Sequence, residues 1–575
     1  MKIDQLNRIK NLSILTAIVL GLLHAWFSRF EMTADGMSYL DIADNYLKGD
    51  FKATVCPSWS PLYPFLVSIA FYLFKPSSYW EFSLVHLVNF IIYLFTIFSF
   101  NFFICELLNH NKNQASKISK EGLITLPDWA ILIIGYSLFI YSSLHIIALW
   151  GPDPDMLFST FVYLASGISL KIYRGQLNSR NFLLLGIVFA FGYLAKTPMF
   201  VLAFVYLILV FFAAVKYENL TSSVLKVVLA FITFILISSP YIYAISQNKG
   251  YLTFGESGKL NYAWYINDIV PFTHWQGEPK DFQFQSGKPK HPTRKIYDNP
   301  PVYEFGSPIP GTYPPFYDPT YWYEGITPRF DLFRQICAIC ASTFVFNKIF
   351  IKLLGFLIPC FAILFFMGNR KELIIKDILG EWILLVPALS AFCMFSLVHL
   401  EPRYIGAYIV IFYLTLLCSI RMSGEKSEKE SKRLIEVVVF IMTLMLMITI
   451  GTTTSNELSL WQTKGSVHNE WNIASSLKQM GLKEKDKVAT IGYGVPYLAY
   501  WARLLKVTIV AEVTTDDADK FWALNESKKL NIIHIFSKMG IKAIVAKKIP
   551  LCCLKNSWKK INNSDSYIYL LNIPL

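Results

Sequence analysis

Apolar runs long enough to cross a bilayer alternate with short polar loops along most of this chain. They fall at Leu12–Phe27, Phe82–Cys105, Trp129–Leu149, Asp155–Leu170, Phe182–Ala195, Met199–Val215, Val227–Ile245, Ile349–Met367, Ile378–Val398, Tyr404–Ile420 and Ile435–Ile450. At roughly 20 residues per crossing, the pattern predicts about eleven transmembrane helices. Lys2, Arg8 and Lys10 precede the first run as in a signal sequence, but no small-residue cleavage site follows, so it reads as a retained span. After Gly451 the pattern changes. Lys487–Ile491, Val507–Glu512 and Ala543–Ala546 read as short strands, and the periodicity around Ile473–Met480 and Ile532–Met539 is helical. The chain is thus expected to divide into a transmembrane domain over 1–450 and a small extracytoplasmic α/β domain over 451–575. Gly492-Tyr493-Gly494 follows a strand without the third glycine of a dinucleotide fingerprint, and a tight turn is expected there.

One further apolar run, Pro61–Phe74, decides the topology. If it does not span, the loops carrying Lys112, Lys117 and Lys120, then Lys171, Arg174 and Arg180, then Lys216 and Lys226, then Arg370, Lys371 and Lys376, and finally Arg421–Arg433, all fall on the cytoplasmic side. That satisfies the positive-inside rule at every loop. The run is also short and contains Pro61 and Pro64, so it is read as a re-entrant or surface helix. The outside then receives the loop 29–81, tight turns around Asp153, Lys196 and Glu401, the long segment 246–348, and everything after Gly451.

Composition sharpens this picture. The chain is 54% hydrophobic with a mean hydropathy of +0.41, too apolar for a soluble protein. Its net charge of +13 sits in the short loops rather than in a basic stripe, which argues against a nucleic-acid partner. Cys105, Cys360, Cys393 and Cys418 lie in apolar runs and read as small buried hydrophobes. Cys337 and Cys340 form a CxxC with no second pair, and Cys552 and Cys553 are adjacent with no evident partner.

Candidate chemistry gathers in the outer turns. Within Thr33–Asp50, Tyr39, Ile42, Ala43, Tyr46 and Leu47 share one helical face while Asp41, Asp44 and Lys48 take the other. This predicts an amphipathic helix on the outer membrane surface, stopped by Gly49. Asp35 precedes it, either as an N-cap or as a functional carboxylate. In Trp150-Gly151-Pro152-Asp153-Pro154-Asp155, the two aspartates form a DxD that can bind a divalent cation; alternatively, Asp155 caps the next span and Asp153 faces water. Lys196 runs against the positive-inside trend, which either an anionic ligand or snorkelling explains. Arg403 raises the same question and could simply pair with Glu401. The segment 246–348 carries Tyr262, Trp264, Trp275, Tyr303, Tyr313, Tyr317, Tyr321, Trp322 and Tyr323, rings suited to sugar faces or to the membrane interface.

The succession Asp35, Tyr39 and a surface helix to Gly49 resembles the GT-C glycosyltransferases, in particular the protein O-mannosyltransferases and the aminoarabinose transferase of lipid A. Trp59-Ser60-Pro61-Leu62-Tyr63, Gly192-Tyr193-Leu194-Ala195-Lys196 and Glu401-Pro402-Arg403-Tyr404 resemble further elements of that superfamily in the same order. Gly36 and Ser60 depart from it, standing where many members have an acidic residue and some a lysine. The resemblance implies transfer of a sugar from a polyprenyl-phosphate donor to an extracytoplasmic glycan, lipid or protein. It implies Asp35 as catalytic base, Lys196 and Arg403 on the donor phosphate, and Asp153, Asp155 and Tyr39 around the sugar, acceptor or a cation. No metal is required, although a divalent cation is compatible with the DxD. The competing classes are a flippase or transporter, which would place ionisable residues near the midplane of its spans, and a polymerase of lipid-linked sugars.

Overall fold

The computed structural model describes residues 3–118, 123–269, 274–277, 286–367, 377–419, 422–423, 428–462, 469–497, 499–550, 557–561 and 564–571. Lys120, Arg370, Lys371, Lys376, Arg421, Cys552 and Cys553 lie outside these residues, as do the side chains of Lys117 and Cys360. Each predicted span finds a helix: α1 (Ile3–Phe27), α4 (Glu81–Ile118), α5 (Asp128–Tyr141), α6 (Asp155–Tyr173), α7 (Ser179–Ala195), α8 (Pro198–Val215), α9 (Leu220–Lys249), α11 (Leu332–Met367), α12 (Trp382–Ser396), α13 (Pro402–Cys418) and α14 (Glu428–Gln462). Among the described residues, seven helices are long and apolar enough to cross a membrane, and α7, α12 and α13 are shorter apolar helices. Their centre is aromatic: the Phe100 and Phe139 rings stack at 4.5 Å, and Tyr163 meets Phe100 edge-on at 5.2 Å. Two expectations for the cysteines fail, since Cys393 is exposed and Cys105 only half-buried; Cys418 is buried.

Helix α3 (Leu62–Phe74) has 13 residues, about 20 Å of helix against a hydrocarbon core of about 30 Å. It lies against α2 (Ala34–Lys48) and α4. At the other end of the bundle, Leu123–Ile124 pairs with Met422–Ser423, so the chain after α4 and the chain after α13 meet on one side. The same end holds Arg174 against Glu106. The described stretches that follow α4, α6 and α13 therefore share a side, in keeping with the non-spanning reading of 61–74; the loop 368–376 lies outside the described residues.

Helix α2 departs from expectation. Its charged face meets water only at Lys48: Asp41 is buried and Asp44 nearly so, both beneath the C-terminal region. Nor does Asp35 cap it. Thr33 does, its hydroxyl accepting the Gly36 N–H at 3.0 Å, while Gly49 closes the other end in the left-handed conformation.

The C-terminal region contributes five strands to a seven-stranded sheet, whose order by residue is 294–298, 301–304, 508–513, 487–491, 543–547, 566–570 and 558–560. Strands β3 (Lys487–Ile491), β4 (Thr508–Val513) and β5 (Ala543–Lys547) are parallel, and β7 (Ser566–Leu570) and β6 (Trp558–Lys560) add antiparallel. Side chains of β5 alternate between two cores: Ile544 and Ala546 pack under α17 (Glu526–Lys538), while Ala543 and Val545 face the other side with α15 (Asn469–Gln479). The other edge comes from elsewhere in the chain. β1 (Arg294–Asp298) and β2 (Pro301–Glu304) lie in the segment 246–348, and β2 pairs with β4 through Tyr303 and Glu512. The sheet is thus not contained within 451–575, and α14 runs through position 451 without a break. The aromatic residues of the segment pack mainly inward: Trp275, Tyr313, Tyr317, Trp322 and Tyr323 are buried, with Trp275 and Tyr323 stacked at 5.8 Å. They build the segment's own core rather than an open sugar platform.

Candidate functional site

The suggestive residues of four separate turns meet at one place. Arg403, at the second position of α13, reaches three carboxylates. Its Nη2 donates to Asp35 Oδ2 at 2.9 Å and its Nη1 to Asp153 Oδ2 at 3.0 Å, while Nε lies 3.7 Å from Asp155 Oδ2. Lys196 bonds the other oxygen of Asp155, and its ammonium sits 3.7 Å from the centre of the Tyr404 ring. Three carboxylates and two cations thus form one network. Tyr39 closes it from α2; its hydroxyl loses its proton far less readily than a free phenol, because it is buried and because Asp35, Asp155 and Asp153 surround it.

Local sequence explains why these groups converge. Gly36 has no room for a side chain: a Cβ there would stand 2.5 Å from Pro152, so glycine lets α2 close onto the Asp153 turn. A larger acidic residue in its place would push the two apart. Gly151 is required in the same way, since a Cβ would lie 2.6 Å from the Asp153 carboxylate. Asn89 of α4 ties the turn down, donating to the Gly151 carbonyl at 3.0 Å and accepting from the Tyr63 hydroxyl at 2.7 Å. Tyr63 in turn meets the edge of Tyr39 at 5.1 Å. Lys196 leaves α7 in extended conformation, and Pro198 starts α8 two residues later, so the lysine is carried on a fixed corner.

Several alternatives from the sequence fall away. Asp153 does not face water; it is 7% exposed and its Oδ1 accepts the Asp155 N–H at 3.0 Å. Asp155 makes no cap for its own helix but binds Lys196 instead. Arg403 does not pair with Glu401, which binds His399 at 3.0 Å. Burial, reinforced by Asp155 and opposed by Arg403, pushes the Asp153 carboxyl up to about 8. Burial also makes the Lys196 ammonium easier to deprotonate, against the pull of Asp155. Asp35 is the accessible carboxylate of the three, with 26% of its side chain exposed against 6% and 1%. The carboxylates a divalent cation would use are already bonded to Arg403 and Lys196. Among the described residues, no group of three or more His, Cys, Asp and Glu side chains forms a metal site. Sequence reasoning missed Asn89, which stands in no pattern that distinguishes it from other span residues.

An extended helix bundle with the ionic cluster at one end, capped by an α/β layer, has the GT-C architecture. The chain is similar over nearly its whole length to the solved structure of ArnT, the aminoarabinose transferase, from Cupriavidus metallidurans. In the apo state the likeness has a TM-score of 0.51 at 11% identity, covering 96% of this chain and 97% of that one. With undecaprenyl phosphate bound to that protein it has a TM-score of 0.53 at 11% identity, covering 97% of each. No family model matches the chain, and no curated protein matches it by sequence.

Proposed function

We propose that this protein is a membrane glycosyltransferase that moves a sugar from a polyprenyl-phosphate-linked donor to an extracytoplasmic glycan, lipid or protein. The observation that carries the reading is the convergence of Asp35, Asp153, Asp155, Lys196 and Arg403 at one end of a bundle with this fold. Undecaprenyl phosphate is bound in the ArnT structure of the same fold, which supports a lipid-phosphate donor here. The basic loops at the opposite end support an extracytoplasmic site.

In this reading Asp35 accepts the proton of the acceptor hydroxyl as its oxygen bonds to the sugar, and the bond from the sugar to the lipid phosphate breaks. Lys196 and Arg403 stabilise the charge that develops on the departing phosphate. They are held beforehand by Asp155 and Asp153, so no large rearrangement is needed to aim them. Protonated Asp153 and the buried Tyr39 hydroxyl supply hydrogen bonds for orienting the sugar. Charge supplied by side chains suffices for a monophosphate leaving group, and a divalent cation would have to displace Arg403 and Lys196 from the DxD. A transporter of lipid-linked sugars is disfavoured by the position of the cluster at helix ends rather than at mid-span. The test is mass spectrometry of surface glycans and glycolipids in cells with the gene deleted. We expect a species one sugar short, restored by the wild-type protein and not by Asp35→Asn. An unchanged glycan profile on deletion would overturn the reading, and restoration by Asp35→Asn would remove Asp35 as its base.

A further inference from the structure

A second ionic cluster, outside the site, surrounds Arg503 of α16 (Tyr500–Leu505). Its guanidinium is 3% exposed, and three carboxylates from two other elements converge on it. Nε donates to Glu81 Oε1 at 2.6 Å, and Nη1 lies 2.7 Å from Asp41 Oδ1 and 2.8 Å from Asp44 Oδ2. Glu81 begins α4; Asp41 and Asp44 lie on α2, the helix that carries Asp35 and Tyr39. The segment 246–348 grips the same helix. Thr312 donates its N–H and its hydroxyl to Asp41 at 2.7 and 2.9 Å, Ser38 donates to the Phe316 carbonyl at 3.0 Å, and Asn45 donates to the Tyr317 hydroxyl at 2.9 Å. Gly311 permits this approach, since a Cβ there would meet Asp41 Oδ2 at 3.0 Å.

We infer that Arg503 is a positioning residue for the transfer reaction, fixing α2 so that Asp35 stands where the acceptor is activated. The inference rests on the proposed function for its kinetic part, and on geometry alone for its mechanical part. Asp44 lies about 14 Å along α2 from Asp35, and a helix transmits a displacement over that length as a rigid rod. Three buried carboxylates repel one another unless a cation stands between them, and an arginine's planar fork spans them at fixed angles where a lysine presents a single point charge on a flexible stem. A further cation near them, Lys506, is 4.0 Å from Asp44 and partly exposed. Lys196 is carried on the α7–α8 corner, and Arg403 keeps Asp153 and Asp155 when Asp35 shifts, so loosening α2 should disturb acceptor activation while both phosphate cations stay in place.

The experiment compares Arg503→Lys with wild type, and repeats it with the triple variant Arg503→Met, Asp41→Asn, Glu81→Gln, which removes the cation together with two of its three carboxylates. Hydrogen exchange is followed along α2 and α6. Affinity is measured with undecaprenyl phosphate as the donor-side probe. Turnover is read as undecaprenyl phosphate released from a membrane extract of lipid-linked sugars and acceptors prepared from cells lacking the protein. We expect exchange over 34–45 to accelerate at least about 10-fold with α6 unchanged, and turnover to fall about 10- to 100-fold at unchanged undecaprenyl-phosphate affinity. Unaltered exchange of α2, or loss of donor affinity in step with turnover, would overturn the inference. Failure of both variants to fold would also overturn it, by making Arg503 a determinant of the fold. If wild type itself releases no undecaprenyl phosphate, the proposed function fails, and the exchange result still decides whether Arg503 holds α2.

Discussion

The contrast between Thr33 and Asp35 gives the sharpest test, because the structure separates two roles that adjoin in sequence. Thr33 caps α2 through its hydroxyl, whereas the Asp35 carboxylate is spent on Arg403. Asp35→Asn keeps the side-chain shape and leaves the cap intact. It removes one ion pair whose two side chains are each about a quarter exposed, and Arg403 retains Asp153 and Asp155. The expected stability cost is about 1 kcal/mol or less. The chemical cost is larger, since an amide cannot accept the acceptor's proton, and a general base contributes about 10²–10⁴-fold to turnover. Thr33→Ala reverses the ratio: about 1 kcal/mol of stability is lost with the cap, and turnover changes little. The assay is sugar transfer by both purified variants beside thermal unfolding and donor binding. Near-normal turnover in Asp35→Asn would refute the assignment and move the search for the base to Asp153 or Asp155.

Three further outcomes follow from the geometry. Lys196→Ala should weaken binding of undecaprenyl phosphate by about 1.5–3 kcal/mol in a folded protein, measured by titration in detergent, and an unchanged affinity would leave Lys196 as a purely structural partner of Asp155. The native Asp153 carboxyl holds its proton up to about 8 and the unfolded one only to about 4, so the native state binds more protons in between. Its contribution to stability is therefore full below about pH 4 and lost as pH rises to about 8; Asp153→Asn should flatten that decline in unfolding temperature, and an identical slope would refute the shift. Finally, a cysteine placed at Ala115 should be labelled only from the cytoplasmic side, and labelling from outside would invert the proposed face of the site.

Much of this was legible in the sequence because the bilayer imposes a simple rule. A spanning helix must be apolar along its length, so Phe82–Cys105 or Val227–Ile245 announces itself without knowledge of neighbours. The strands at 487–491 and 543–546 were equally plain, since central parallel strands are apolar on both faces. Asp35, Asp153, Lys196 and Arg403 stood out as charges at the ends of spans. What could not be read was partnership. Asp41 and Asp44 have the spacing of a solvated face, and nothing local to them discloses Arg503, 462 residues away from Asp41 in sequence. The two strands at 294–304 are short, polar and set among prolines, and their pairing with β4 is fixed by a distant edge rather than by their own pattern. Ring residues such as Trp275 and Tyr313 have the same composition whether they line a surface or fill a core.

The shared sheet bears on the order in which the molecule comes into being. Some helix pairs of the bundle, such as α6 with α7 and α12 with α13, join neighbours in sequence, so these can form as each hairpin enters the membrane. The outer layer cannot. On the proposed topology the hairpin 294–304 has no sheet edge to join until Thr508–Val513 has crossed, and the helix bearing Asp35 lacks its arginine until residue 503 arrives. A nascent chain that has already inserted most of its helices therefore still has an unclamped α2. On the proposed function, catalytic competence is the last property the molecule acquires, delayed until its C-terminal region is nearly complete.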